Sequence, residues 1–144
     1  MKRITADVLP LPALSQEDIK NFVEWVTSIN NNFDRDVMFY PRTVMLRAQS
    51  DEKPLIYVPL HPVLMYESLA PSPDATDLQK AVSLREVSAL VDGMAADAGY
   101  GEGYFLTNSK AEMELVTKRG WKVCLYDRER DTWLLKRKFA LRNT

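Results

Sequence analysis

The stretch from Val82 to Phe139 constrains the fold most, because it spells a helix, a buried strand, a second helix and a closing hairpin in that order. In Val-Ser-Leu-Arg-Glu-Val, residues 82–87, Ser83 is placed to cap free backbone N–H groups and Glu86 to return the contact. Val82 and Val87 stand where a hydrophobic staple closes. Leu84, Val87, Leu90, Val91, Met94, Ala95 and Ala98 then recur at helical spacing, which predicts a buried stripe ended by Gly99 and Gly101. Gly103-Tyr-Phe-Leu-Thr107 predicts a strand covered on both faces. Ser109 and Glu112 repeat the capping-box spacing at the head of the next helix, which Gly120 closes. Trp121–Tyr126 and Thr132–Phe139 flank the charged turn Asp127-Arg-Glu-Arg-Asp and predict a hairpin. A helical crossover between strands all but requires that the strands it joins run parallel.

The chain before this stretch reads as a strand over residues 3–8, then a helix capped by Ser15. That helix is expected to bury Ile19, Phe22, Val23, Val26 and Ile29 and to end at Asn30-Asn31-Asn32. Three antiparallel strands follow between Thr43 and Leu69, turned by Ser50-Asp-Glu-Lys-Pro, with Pro59 and Pro62 marking an edge, bend or bulge around His61. Thr76 and Gln79 have capping-box spacing and predict one further turn of helix in the loop. The expectation is one domain over residues 1–144, an α/β (α+β) fold with a mixed sheet and helices on both faces.

Composition narrows the function classes. A net charge of −1 leaves no electrostatic footprint for nucleic acid or for an anionic membrane. Basic residues gather at Arg128, Arg130, Lys136, Arg137, Lys138 and Arg142, with acidic residues interleaved among the first of them, as on a solvated hairpin. One cysteine, Cys124, excludes an internal disulfide and is expected to be a buried small hydrophobe, and one histidine leaves no metal-ligand constellation. No apolar run reaches membrane-spanning or signal-peptide length, so a cytoplasmic address is expected.

Ser88-Ala-Leu with its helix, Gly99-Tyr, Gly103-Tyr-Phe-Leu-Thr-Asn and Ala111 to Gly120-Trp resemble the second half of the GCN5-related N-acetyltransferase (GNAT) superfamily, best over residues 82–126. The resemblance implies a single GNAT-like domain that binds acetyl-CoA and passes its acyl group to an amine. By the same resemblance Ser83, Leu84, Arg85, Val87 and Ser88 at the helix start, Leu69 on the strand before it and Asn108 at the strand end would contact the cofactor. Glu67, His61 and Tyr104 are the candidate catalytic groups, with Tyr66 as a further candidate acid. The chain departs from the family pattern at two places. Arg85 and Val87 stand where the cofactor loop has glycine, and Val116 stands where many members have a tyrosine acid. Two functions therefore remain open: an acyltransferase with an unusual cofactor clamp, or a catalytically inactive GNAT-shaped module that serves as a protein-binding or structural component. The last strand, Thr132–Phe139, is an expected sheet edge for a protein partner or a second copy.

Overall fold

A computed structural model describes residues 3–30, 32–67 and 69–140. Asn31 at the expected helix end, Ser68 on the expected strand and Arg142 of the basic cluster lie outside the described residues. The chain forms two compact units, Met1–Pro62 and Val63–Thr144.

The first unit holds strand β1 (Ile4–Pro10), helix α1 (Gln16–Ile29) and strands β2 (Val44–Ser50) and β3 (Lys53–Leu60), with short 3-10 turns at Leu11–Ala13 and Arg35–Phe39. The strands make an antiparallel sheet in the order β1-β2-β3. Asp51 and Glu52 turn β2 into β3 with φ of 49° and 62°, the positive backbone angles that let a two-residue turn follow the twist of its strands. Pro54 and Pro59 lie on β3, an outer strand of this sheet, where a missing N–H is tolerated. Ser15 caps α1 as expected, accepting from the Asp18 N–H at 3.0 Å. Of the predicted stripe, Phe22 is buried, Ile19, Val23 and Val26 are half-buried, and Ile29 is 85% exposed.

Unlike the expected single sheet, the remaining strands form a second one, in the order β4-β5-β7-β6. It comprises β4 (Leu64–Tyr66), β5 (Glu102–Thr107), β6 (Lys122–Asp127) and β7 (Thr132–Lys138), with helices α2 (Asp77–Ala98) and α3 (Lys110–Thr117). β4 and β5 are parallel, as the crossover requires, and the other pairs are antiparallel. Leu84 from α2 and Val116 from α3 share one core with Phe105, Trp121 and Leu135. Both helices therefore lie on the same face of this sheet. Two right-handed crossovers advancing in one direction across a sheet give this result.

Several boundaries differ from expectation. The long helix begins at Asp77, not at Ser83, because Thr76 and Gln79 form the working capping box and nothing between them and Ala98 breaks the helix. Ser83 and Glu86 are consequently interior helix residues. Val87, Leu90 and Met94, expected to be buried, are 50%, 66% and 59% exposed, while Leu84, Ser88 and Ala95 face inward. β7 lies between β5 and β6, so the outer strand is β6 and the expected edge at Thr132–Phe139 is internal. Cys124 is exposed, not buried: it sits where the β6–β7 register shifts, and its Sγ donates to the Leu134 carbonyl at 3.3 Å. Leu106 is 47% exposed, so β5 is covered on one face only at that position.

Gly103 shows why this core needs a residue without a side chain. A Cβ there would meet the Phe139 ring at 2.8 Å, with Trp121 at 3.4 Å.

Candidate functional site

The pairing of β4 with β5 is short. Among the described residues Leu64, Met65 and Tyr66 match Gly103, Tyr104 and Phe105, and β5 runs on through Leu106 and Thr107. A groove lies beside this end of β5. Its larger chamber, about 670 Å³, is lined by Leu69 and the loop after it, by the Asp77, Lys80, Ser83, Leu84 and Val87 side of α2, and by Ala111, Glu112 and Leu115 of α3. A smaller chamber of about 420 Å³ shares Leu69, Ser109 and Glu112 and adds Thr107, Asn108 and Thr132.

Helix phase explains this lining. Lys80, Leu84 and Val87 recur at i, i+4 and i+7 and so point the same way, and Ser83 stands one turn before Val87. At the head of α3, the Glu112 N–H donates to Ser109 Oγ at 3.2 Å, and the Ser109 N–H donates to Thr107 Oγ1 at 3.0 Å. The Thr107 hydroxyl closes the loop by donating to Glu112 Oε2 at 2.7 Å.

The structure brings Leu69, Ser83, Leu84, Val87 and Asn108 to the two chambers. Arg85 stands apart, paired with Glu86 at 3.2 Å, with both side chains more than half exposed. Ser88 is buried. Sequence reasoning missed Lys80, Ala111, Glu112 and Leu115. The phase of a helix started at Thr76, read forward from its capping box, was the signal for Lys80.

None of the candidate catalytic groups lies among the groove's lining residues. Glu67 is exposed in the segment after β4. His61 belongs to the first unit, where its ring stands 5.3 Å from that of Tyr40. Tyr104 points from the sheet toward Glu102, donating to its carboxylate at 3.2 Å, and Lys136 holds the same buried carboxylate at 3.1 Å. Burial, and then the Glu102 charge, pushes the Tyr104 hydroxyl above the ordinary tyrosine range. Tyr66 is half-buried between Phe105 and Trp121, and burial raises its pKa as well.

Among the described residues no group of three or more His, Cys, Asp or Glu is placed to hold a metal ion. No described helix is long and apolar enough to cross a membrane.

No protein-family model matches the chain, and no curated protein matches it. Solved structures similar to it include an inferred N-acetyltransferase from Lactobacillus plantarum, 10% identical with a TM-score of 0.46, covering 95% of this chain and 99% of that one. The PaiA N-acetyltransferase from Thermoplasma acidophilum, in complex with coenzyme A, is 13% identical with a TM-score of 0.40, covering 94% and 99%. An acyl-CoA N-acyltransferase from Pseudomonas aeruginosa is 12% identical with a TM-score of 0.40, again covering 94% and 99%. At these identities and scores the likenesses carry no argument about activity, and the reading below rests on this chain's own residues. The fold itself is a mixed α+β arrangement, with parallel β4 and β5 joined through α2 and the strand order β4-β5-β7-β6.

Proposed function

We propose that this chain is a GNAT-type N-acyltransferase whose groove takes the acyl end of acyl-CoA and passes the acyl group to an amine. One observation carries the reading: among the described residues the pairing of β4 with β5 ends at Tyr66 and Phe105, and the groove lies just beyond, beside Leu106 and Thr107. An extended arm of amides and methylenes ending in a thioester suits a groove that follows the end of a strand pair. Leu69, Leu84 and Val87 supply apolar contact for the methylenes.

In the transfer the amine nitrogen attacks the thioester carbonyl carbon. The C–N bond forms, the C–S bond breaks, the ammonium gives up its proton to a base, and the departing thiolate takes one from water. In this reading Glu67, two residues before Leu69, receives the ammonium proton. Tyr104, raised above its ordinary range, stays protonated at neutral pH and serves best as a hydrogen-bond donor.

The test is thiol release from acetyl-CoA by the full chain in the presence of a panel of primary amines. The proposal expects release dependent on both substrates, lowered about 100-fold in Glu67→Gln with acetyl-CoA affinity unchanged. Release at the uncatalysed rate with every amine, from protein that binds acetyl-CoA, would overturn the transferase and leave a binding module.

A further inference from the structure

Resting on that reading, we infer that the groove recognises its donor through the acyl-pantetheine arm alone and makes no clamp on a nucleotide diphosphate. Two helices begin at the groove, and a helix start binds phosphate when its first N–H groups are free and its dipole is uncompensated. Here side chains already hold two of the donors at each start, and a carboxylate in each first turn offsets the dipole. At α2 the Gln79 N–H donates to Thr76 Oγ1 at 3.1 Å, and the Thr76 N–H donates back to Gln79 Oε1 at 2.9 Å. The carboxylate of Asp77 already stands in that first turn. At α3 the Glu112 N–H is held by Ser109 and the Ser109 N–H by Thr107, and the Glu112 carboxylate completes the ring. The chain's own side chains thus take up two donors at each helix start and supply the negative charge that an anion would otherwise bring.

The charges in the larger chamber lean the same way. Among its described lining residues Asp77 and Glu112 are acidic, and Lys80 is the only cation. A nucleotide diphosphate brought here would meet two carboxylates for one ammonium, at helix starts where side chains already hold part of the backbone donors. Arg85, the one guanidinium expected to help, is engaged with Glu86 outside the groove. What remains is the apolar wall of Leu69, Leu84, Val87, Ala111 and Leu115, which matches an uncharged arm and a thioester. No glycine occurs between Met1 and Asp92 to let phosphate oxygens approach the helix backbone.

The experiment compares S-acetyl-pantetheine with acetyl-CoA by isothermal titration on the full chain, with adenosine 3′,5′-bisphosphate as competitor. The inference expects dissociation constants within about threefold of each other. It also expects no loss of affinity between about 50 and 500 mM salt, and no displacement by the bisphosphate. A gain of about tenfold or more for acetyl-CoA, or displacement by the bisphosphate, would overturn it. Binding of neither thioester is a separate result, and it removes the reading of the groove on which the inference rests.

Discussion

Each unit lays a helix against a sheet, but the polar groups where helix meets strand are used in opposite ways. In the first unit the first turn of α1 sends Asp18 inward. Its carboxylate accepts from the Tyr57 hydroxyl at 2.6 Å, from Ser15 Oγ at 2.9 Å and from Arg47 Nη1 at 3.1 Å. Arg47 turns its remaining edge to Asp7, donating at 2.9 and 3.3 Å. Trp25 and Phe22 pack on the Tyr57 ring at 5.3 and 6.3 Å, which finishes the seam. In the second unit side chains hold part of the donors at the two helix starts, and the groove beside them is walled largely by apolar residues. A seam whose polar atoms all bind one another is structural. A groove walled by apolar residues, with one lysine against two carboxylates, suits a ligand that is itself mostly uncharged.

The largest expected effect lies in the closed seam. Asp18→Ala leaves Arg47 and the Tyr57 hydroxyl short of a partner and should cost about 3 kcal/mol in urea unfolding. The seam also predicts a pH dependence. Burial works to raise the Asp18 pKa, but hydrogen bonds from Tyr57 and Ser15, with the Arg47 charge, hold it below its ordinary value. Its stabilisation is therefore fully present above the unfolded aspartate value of about 3.9 and is lost as pH falls through the lower folded value. Melting temperature followed from neutral pH into acid should show this limb, and Asp18→Asn should remove it. If Asp18→Ala unfolds like the parent, the seam is not a unit and the contrast with the groove fails.

Next in size is Gly103→Ala, which drives a Cβ into the Phe139 ring. It should cost about 1–3 kcal/mol in the same measurement; a neutral outcome would mean that Phe139 gives way freely. Val87→Glu sharpens the comparison from the other side. The residue is half exposed and lines the groove, so its stability change should stay within about 0.5 kcal/mol. Affinity for acetyl-CoA should fall about tenfold, because a carboxylate replaces apolar wall. The smallest effect is Thr76→Ala, which removes the α2 cap and should cost about 1 kcal/mol by thermal unfolding.

Local chemistry was legible in the sequence wherever one signal stood alone. Ser15 and Ser109 cap their helices, Gly99 and Gly120 take left-handed backbone with φ of 77° and 90°, and the closing hairpin turns at its charged tip. The long helix was misjudged because two capping boxes compete within ten residues, and the earlier one, at Thr76, wins by offering an unbroken run to Ala98. That shift moved Ser83 and Arg85 from a helix entrance to a helix side. Leu69, Ser83, Leu84 and Val87 still meet at the groove because a helix side presents residues four and three apart together. Arg85 does not join them, since one residue's rotation turns it outward. The exposure of Cys124 and the outer place of β6 depend on strand order and on a local bulge, and neither is written in periodicity.

The central claim is that the groove lined by Leu69, α2 and α3 is a thioester-carrier site. Isothermal titration of acetyl-CoA into the parent chain and into Val87→Glu tests it most directly. Saturable one-to-one binding to the parent, about tenfold weaker in the variant at equal stability, is the predicted result; no heat of binding to the folded parent at millimolar ligand, or equal affinity in both proteins, would contradict it.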